Sequence, residues 1–315
     1  MSRFRVLSID GGGIKGVFPV SFLAEIERAL ALSSVARHFD LIAGTSVGGI
    51  IALALGLGSS ARDILDFFVR SGPDIFPPGQ IPTLRLLLGL ERYKPQRLRT
   101  ALAEILGTKT LGASCVRLLI PAFDATKGDI HIYKTAHSRR LMVDYKVPAL
   151  EVAMATAAAP TYFPAYDSSE HVTLVDGGVW ANNPVALAVV EAVTLLERRP
   201  EEVDVLSLGC TEETEDFRQR GHGGWFWLRR GILAAMRGQS RSAIGMARHL
   251  TGRAQGREQV VRIDPPVARN RFSLDGAKKL RELQALGYAE ARHNLPRVRE
   301  RFFSAEADPF APMYA

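Results

Sequence analysis

Three glycine-bearing turns in the sequence carry residues that could act together on a carbonyl group. The first, Asp10-Gly-Gly-Gly-Ile-Lys-Gly16, has main-chain N–H groups that no side chain covers, and such groups can hold an anion or a developing oxyanion. The second, Gly44-Thr-Ser46-Val-Gly48, has the G-x-S-x-G spacing of a nucleophile elbow, which projects a serine hydroxyl from a sharp turn. The third, Asp176-Gly-Gly178, offers a carboxylate. A nucleophile, a base and oxyanion donors are the parts of an acyl-transfer site.

Each turn has an alternative interpretation when it is taken alone. Gly11, Gly13 and Gly16 also match the fingerprint of dinucleotide-binding folds, but those folds need an acidic residue at the end of the second strand, and the sequence has none there. The serine turn also occurs in α/β-hydrolases, which add a histidine to the serine and the acid. None of the seven histidines lies in a motif typical of a catalytic base. We therefore expect Asp176 to accept the Ser46 proton directly, as a Ser-Asp dyad.

Strand and helix patterns alternate around these turns. A β-rich run at residues 4–9 precedes the first turn and an amphipathic helix pattern follows it, while a strand pattern at 39–43 leads into the serine turn and a buried helix at 49–55. Further strands are predicted at 116–120, 172–175 and 203–208, helices at 61–69, 95–106, 150–158 and 185–198, and long loops at 71–89 and 211–224. This order predicts an α/β protein with a parallel sheet.

Taken together and in this order, the motifs resemble those of the patatin-like phospholipases. The resemblance covers residues 4–210 and includes Ala157-Ala-Ala-Pro-Thr-Tyr-Phe-Pro164 and Asp176-Gly-Gly-Val-Trp-Ala-Asn-Asn-Pro184. It implies a three-layer α/β/α patatin-like fold with a mainly parallel central sheet, and hydrolysis of lipid acyl esters without a metal or a cofactor. It also implies roles for five residues: Ser46 as nucleophile, Asp176 as its base, and Gly11, Gly12 and Gly13 as the oxyanion hole.

Two details of these motifs leave alternatives open. The family usually has an arginine where this chain has Lys15, so a phosphate contact through Lys15 would keep the charge but lose the bidentate fork. Asn182 and Asn183 either shape the site or serve the turn before Pro184.

Three further segments are similar to bacterial patatin-like effectors of anti-phage cyclic-oligonucleotide signalling, the CBASS phospholipases. They are Phe39–Ser46, Val203–Gly209 and Arg262-Ile-Asp-Pro-Pro266. This resemblance implies activation by a cyclic dinucleotide, assembly as a homo-oligomer and attack on the phospholipids of the inner membrane. A constitutive lipase or esterase of lipid turnover would share most of these residues. A non-catalytic lipid- or nucleotide-binding protein is the third interpretation.

The charge of the chain is concentrated in its C-terminal third. Residues 1–215 carry a net charge of −3, residues 216–301 carry +12 and the last fourteen carry −2, which gives +7 in all. A membrane contact is predicted from two tryptophans beside two arginines, Trp225, Trp227, Arg229 and Arg230. An amphipathic helix packed on the core would explain the same pattern, and the arginines would also suit the phosphates of a cyclic dinucleotide. We expect no specific nucleic-acid partner, because the segment has no zinc-ligand spacing and no RNA-recognition pattern.

The remaining features concern domain organisation and location. We expect residues 1–315 to form a single patatin-like phospholipase domain, in which residues 211–260 are a basic, aromatic-containing variable region. The N-terminus has no apolar stretch typical of a signal peptide, and the longest apolar run, Gly48–Gly58, is too short to span a bilayer. These features predict a cytoplasmic protein that associates peripherally with the inner membrane when active. Cys115 and Cys210 are predicted to be buried, unpaired thiols.

Overall fold

A computed structural model describes residues 3–77, 92–214, 224–269 and 271–314, without the side chains of 224–230, 232, 233 and 254. Its centre is an eight-stranded sheet formed by β1 (Phe4–Ile9), β2 (Leu41–Gly44), β3 (Arg117–Asp124), β4 (Asp129–Lys134), β5 (Tyr166–Asp167), β6 (Thr173–Asp176), β7 (Val203–Leu208) and β9 (Val260–Ile263). The strand order is β5-β6-β3-β2-β1-β7-β9, and β4 pairs with β3. Two short strands, β8 (Glu212–Glu213) and β10 (Pro266–Val267), pair separately.

The sheet is mainly parallel, as the sequence predicts. The five strands β3, β2, β1, β7 and β9 run parallel to one another in that order. The strands β4, β5 and β6 join through antiparallel pairings. Every residue of β1 is buried, which is typical of a central strand covered on both faces.

Helices cover both faces of the sheet and give three layers. Helices α1 (Val17–Leu30), α2 (Val47–Gly56), α3 (Ala61–Ile75), α4 (Pro95–Leu106), α5 (Ala149–Thr156) and α9 (Leu280–Phe302) pack on one face. Helices α7 (Val185–Val190) and α8 (Gly224–Leu250) pack on the other, and α6 (Gly178–Ala181) is a single turn after β6. Alternate residues of β1 enter the two cores, Leu7 and Ile9 on one side and Phe4 and Val6 on the other. The predicted α/β/α fold is therefore confirmed.

The register of β3 brings two strand ends together. This strand pairs with β2 through Arg117–Leu119 and then with antiparallel β6 through Ala122–Asp124. Because β6 runs against β3, its last residue, Asp176, pairs with Ala122 and points back toward the end of β2. The carboxyl ends of β2 and β6 consequently meet, and the turns that follow them share one edge of the sheet.

Several predicted elements differ from the observed ones. Helix α3 continues to Ile75, six residues past its predicted end, because Phe67, Phe68 and Ile75 all contribute to the core. A single helix is predicted at 185–198, but the observed α-helix ends at Val190 and is followed by a π-helical turn over Glu191–Leu195. The predicted loop at 211–224 begins with β8, and its residues 215–223 lie outside the described ranges, as do residues 78–89 of the predicted loop at 71–89.

The two cysteines differ in burial. Cys210 is buried, as predicted, but Cys115 is exposed, so the prediction of a buried thiol is wrong there. Cys115 lies in the turn before β3, where its N–H donates to the Gly56 carbonyl, and the apolar run enters the sheet only after it.

Among the residues that the structure describes, no helix is both long enough and apolar enough to cross a membrane.

Candidate active site

Ser46 occupies a strained turn between β2 and α2. Its backbone has φ 56° and ψ −125°, a conformation that non-glycine residues rarely adopt. The flanking glycines make the turn possible, because a side chain at Gly44 would collide with the carbonyl of Gly48, and one at Gly48 with the carbonyl of Ile9. The Ser46 N–H donates to the Thr156 hydroxyl at 3.0 Å, and that hydroxyl donates to the Pro121 carbonyl at 2.6 Å. Neighbouring elements thus hold the turn in its strained shape.

Asp176 ends β6 with its carboxylate buried. Its Oδ1 accepts the Gly178 N–H at 2.7 Å, and its own N–H donates to the Ala158 carbonyl at 3.0 Å. Burial raises the pKa of Asp176 to about 6, although the nearby Ser46 side chain and the hydrogen bond from the Gly178 N–H act to lower it. The Ser46 side chain therefore lies near enough to the Asp176 carboxylate to act on its pKa.

The glycine loop after β1 lies against the serine turn. A Cβ at Gly11 would be only 3.3 Å from the Cβ of Ser46. The Gly11 N–H donates to the Asn182 carbonyl at 2.9 Å, and the Asn182 side chain donates back to the Gly11 carbonyl at 3.3 Å. Asn182 thus shapes the site, one of the two roles that the sequence leaves open for it. The Thr45 hydroxyl also connects the serine turn to α6, because it donates to the Ala181 carbonyl at 2.7 Å.

The three loop glycines differ in what their N–H groups do. The Gly11 N–H is engaged with Asn182, as above, whereas the described part of the chain offers no acceptor to the N–H groups of Gly12 and Gly13. Beyond them, the Ile14 N–H donates to the Leu274 carbonyl at 2.8 Å. Two unpaired donors therefore lie between two fixed points of the backbone, an arrangement suited to an anion.

The other predicted site residues lie farther from the dyad or outside the description. Lys15 belongs to the 3₁₀ turn Gly13–Gly16, and its amine lies 3.5 Å from the Thr211 carbonyl. The backbone of α8 includes Trp225, Trp227, Arg229 and Arg230, but their side chains fall outside the described residues. Asn183 serves the turn, because its Oδ1 accepts the Val185 N–H at the start of α7, and it also links the turn to α8, because its side-chain amide donates to the Ser240 hydroxyl.

Two buried histidines are engaged elsewhere in the molecule. His137 contacts the carboxylate of Glu191 at 2.8 Å and the Thr135 hydroxyl at 2.9 Å. His38 contacts the Ala305 carbonyl at 3.0 Å. Within the described ranges, no group of three or more His, Cys, Asp or Glu side chains could hold a metal ion.

A cavity of about 230 Å³ is lined by neither Ser46 nor Asp176, but its wall includes residues next to those that contact them. Its wall includes Ala157 and Ala158, which directly follow Thr156, the residue that receives the Ser46 N–H. The Ala158 carbonyl also accepts the N–H of Asp176. The remaining lining is largely apolar and contains a few polar side chains. Its apolar and aromatic members are Pro95, Leu98, Met154, Phe163, Pro164, Ala165 and Tyr166, and its other members are Gln96, Arg99 and Asp167. The segment 157–167 therefore joins the dyad to a space suited to an apolar group.

The sequence predicts a site at Ser46, Asp176 and the glycine loop but does not predict the residues that hold them. Thr156 and Thr45 stand next to recognisable motifs, yet nothing in their local pattern indicates a contact with the serine turn. Arg262 was noted only as part of a short motif, and in the structure it binds Asp10, immediately before the glycine loop.

The strained serine turn, the buried acid and the α/β sheet define a class of proteins built around a nucleophile elbow. The sequence profile of the patatin-like phospholipases matches residues 7–189. The chain belongs to the patatin-like phospholipase family.

Three bacterial proteins described as cGAMP-activated phospholipases are similar in sequence. The protein of Vibrio cholerae is 35% identical over 232 residues, which are 67% of this chain and 65% of that protein. The protein of Escherichia coli is 38% identical over 198 residues, 60% of this chain and 56% of that protein. The protein of Pseudomonas aeruginosa is 32% identical over 231 residues, 70% of this chain and 68% of that protein. The match to the first two thus spans about three fifths of their length.

Solved structures resemble the chain more distantly. VipD from Legionella pneumophila aligns with a TM-score of 0.49 and 12% identity, covering 94% of this chain and 67% of that one. The type III effector ExoU aligns with a TM-score of 0.40 and 12% identity, covering 94% of this chain and 53% of that one.

Proposed function

We propose that this protein is a serine acyl-ester hydrolase of the phospholipase A type, with Ser46 as nucleophile and Asp176 as general base. The observation that carries the proposal is the buried Asp176 carboxylate, which lies close enough to the Ser46 side chain for the serine to act on its pKa. With a pKa of about 6, Asp176 is mostly ionised near neutral pH and basic enough to take the serine proton.

The reaction proceeds in two steps. The Ser46 oxygen attacks the acyl carbonyl while its proton passes to Asp176, and collapse of the tetrahedral intermediate expels the alcohol, which takes the proton from Asp176. Water then attacks the acyl-enzyme, Asp176 accepts one of its protons, and the fatty acid leaves as Ser46 regains a proton. We assign the oxyanion to the N–H groups of Gly12 and Gly13, because the Gly11 N–H already donates to Asn182.

We propose fatty-acyl esters of membrane phospholipids as substrates. The family membership supports a lipid substrate, and the largely apolar cavity beside Ala157 and Ala158 is suited to an acyl chain. Lys15, on the turn after the glycine loop, keeps the predicted role of a phosphate contact. Action on this substrate would take place at the inner face of the inner membrane, with the protein bound peripherally.

We further propose that a cyclic dinucleotide activates the enzyme in anti-phage defence, with assembly into a homo-oligomer. The support is the identity of 32–38% to proteins described as cGAMP-activated phospholipases. A constitutive lipase is the second candidate, because the dyad and its surroundings would serve either enzyme equally.

One experiment tests both levels of the proposal. Fatty-acid release from phospholipid vesicles is measured with and without cGAMP for the wild type, for Ser46→Ala and for the control Ser169→Ala, which changes an exposed serine before β6. We expect release that depends on cGAMP and on Ser46 and that Ser169→Ala leaves unchanged. Release that is independent of cGAMP would favour the constitutive lipase. Release by Ser46→Ala equal to that of the wild type would refute the dyad.

A further inference from the structure

A buried ion pair holds the residue that precedes the glycine loop. Asp10 follows β1 and is buried, and the guanidinium of Arg262 donates to both of its carboxylate oxygens, at 2.9 Å and 2.6 Å. The two residues are 252 positions apart in the sequence. Bidentate pairs of this kind fix orientation as well as charge.

The guanidinium of Arg262 is itself held from two more sides. It donates to the Ser207 hydroxyl at 2.8 Å and to the Asp264 carboxylate at 2.7 Å. Arg262 therefore connects the ends of β1, β7 and β9 through one planar group. A lysine would keep the charge, but its single amine cannot reproduce this fork.

The backbone of Asp10 leads directly into the proposed oxyanion donors. Its N–H donates to the Leu208 carbonyl at 3.0 Å, and its carbonyl accepts the Cys210 thiol at 3.4 Å. Directly after it, a side chain at Gly12 would collide with Cys210, so the loop is in close contact with the segment after β7. A rotation of Asp10 would therefore move the N–H groups of Gly12 and Gly13.

We propose that Arg262 is a positioning residue for catalysis: by clamping the Asp10 carboxylate, it fixes the direction in which the Gly12 and Gly13 N–H groups point. This inference rests on the proposed hydrolase function, since those N–H groups are useful in this way only if an oxyanion forms at Ser46. A displacement of about 1 Å in an active site can cost about 100-fold in rate, so a small change in the orientation of this loop would be enough to slow the reaction.

A purely structural role predicts different behaviour. If the Arg262–Asp10 pair only stabilised the fold, breaking it would lower the melting temperature and the amount of folded protein, and the protein that remained folded would keep its kcat. A positioning role changes stabilisation of the transition state in the protein that remains folded, while ground-state binding of the substrate stays nearly the same.

The test compares Arg262→Lys with a matched control, Arg301→Lys. Arg301 pairs with the buried Asp204, at 2.6 Å, but Asp204 lies near the start of β7, at the opposite end of that strand from the glycine loop. Both variants are assayed on a soluble short-chain ester and with a trifluoromethyl ketone inhibitor, which forms a tetrahedral oxyanion on the serine. Asp10→Asn serves as a second variant in case Arg262→Lys folds poorly, because asparagine keeps the shape of the aspartate side chain.

We expect Arg262→Lys and Asp10→Asn each to lower kcat by about 10- to 100-fold and to raise the inhibition constant of the ketone by the same factor, with KM changed by no more than about twofold. The double variant should lose little more than either single one, because both break the same clamp. Arg301→Lys should leave kcat and the inhibition constant unchanged. A kcat within about threefold of wild type in folded Arg262→Lys and Asp10→Asn would overturn the proposal. Absence of Ser46-dependent hydrolysis in the wild type would instead refute the proposed function.

Discussion

The burial of Asp176, which we propose makes it a catalytic base, also lowers the stability of the fold. Burial raises its pKa to about 6, above the value of 3.8 that an exposed aspartate would have. Its ionised form is therefore less stable in the folded protein than in the unfolded chain. Above pH 6, where the proposed mechanism needs the carboxylate, the ionised Asp176 lowers the free energy of unfolding. Below about pH 4, where the carboxyl is protonated in both states, this penalty is absent.

We predict that Asp176→Asn abolishes hydrolysis but stabilises the protein at alkaline pH. Hydrolysis should fall by about 10²–10⁴-fold, because the general base is lost. At pH 8 the free energy of unfolding should rise by about 1–3 kcal/mol, since asparagine carries no charge to bury and its Oδ1 can still accept the Gly178 N–H. Thermal unfolding of wild type and variant at pH 8 and at pH 4.5 measures this, and the gain should shrink at the lower pH.

The matched control for this experiment is Glu25→Gln, which should behave in the opposite way. Hydrogen bonds from Arg28, with a further contribution from Arg292, lower the pKa of Glu25 to about 2 although burial opposes them. A lowered pKa stabilises the fold above pH 4.5, and this contribution is lost only as the pH falls toward 2. Glu25→Gln should therefore lower the melting temperature at pH 8. A loss of stability in Asp176→Asn at pH 8 would contradict the interpretation of its burial.

At the scale of elements, the sequence predicts strands and helices that have a local apolar pattern, but it does not predict the direction in which a strand pairs. Strands β1, β2 and β7 and helices α2 and α4 follow from apolar runs bounded by glycine, serine or proline, which are local signals. The antiparallel direction of β6 has no such signal, yet it brings Asp176 to the end of β2. The long helices α8 and α9 fall in a region whose arginines obscure any apolar stripe.

The candidate site divides in the same way. Ser46, Asp176 and the glycine loop were predictable because each lies in a turn whose glycines are required by the backbone. Thr156, Asn182 and Arg262 reach the site through contacts with residues 110, 171 and 252 positions away, which no local spacing encodes. The parts that perform the proposed chemistry were predictable from the sequence, and the parts that hold them were not.

The segment 157–167 is the element that we expect to set acyl-chain preference. We predict that Ala165→Trp, at an exposed position on the cavity wall, lowers hydrolysis of long-chain esters by about tenfold and leaves a four-carbon ester unaffected. The larger side chain would fill space that only a long chain needs. Ester series of increasing chain length measure the ratio, and Ala113→Trp, at an exposed alanine outside the cavity lining, is the control. An equal loss on short and long esters would contradict the assignment of the cavity.

At the scale of the whole molecule, the uneven charge of the sequence has a structural use. Among the residues that the structure describes, five arginines from the basic third pair with four acids of residues 1–215. The pairs are Arg262 with Asp10, Arg292 with Glu25, Arg301 with Asp204, and Arg237 and Arg241 with Glu212. Three of these acids, Asp10, Glu25 and Asp204, are buried. Part of the basic excess therefore docks the C-terminal third onto residues 1–215, and we expect the remainder to include the membrane contact.

The start of α8 is where we expect that remainder to meet the membrane. We predict that replacing both Trp225 and Trp227 by alanine weakens binding to anionic phospholipid vesicles by about tenfold or more, because each large apolar side chain buried at the interface contributes about 1.5–3 kcal/mol. Hydrolysis of a soluble ester should change by less than about twofold. The third tryptophan, Trp180, supplies the control: its Nε1 donates to the Ala122 carbonyl at 2.8 Å, so Trp180→Phe should leave vesicle binding intact. Equal losses of vesicle binding and soluble-ester hydrolysis in the double variant would show that the tryptophans serve folding instead.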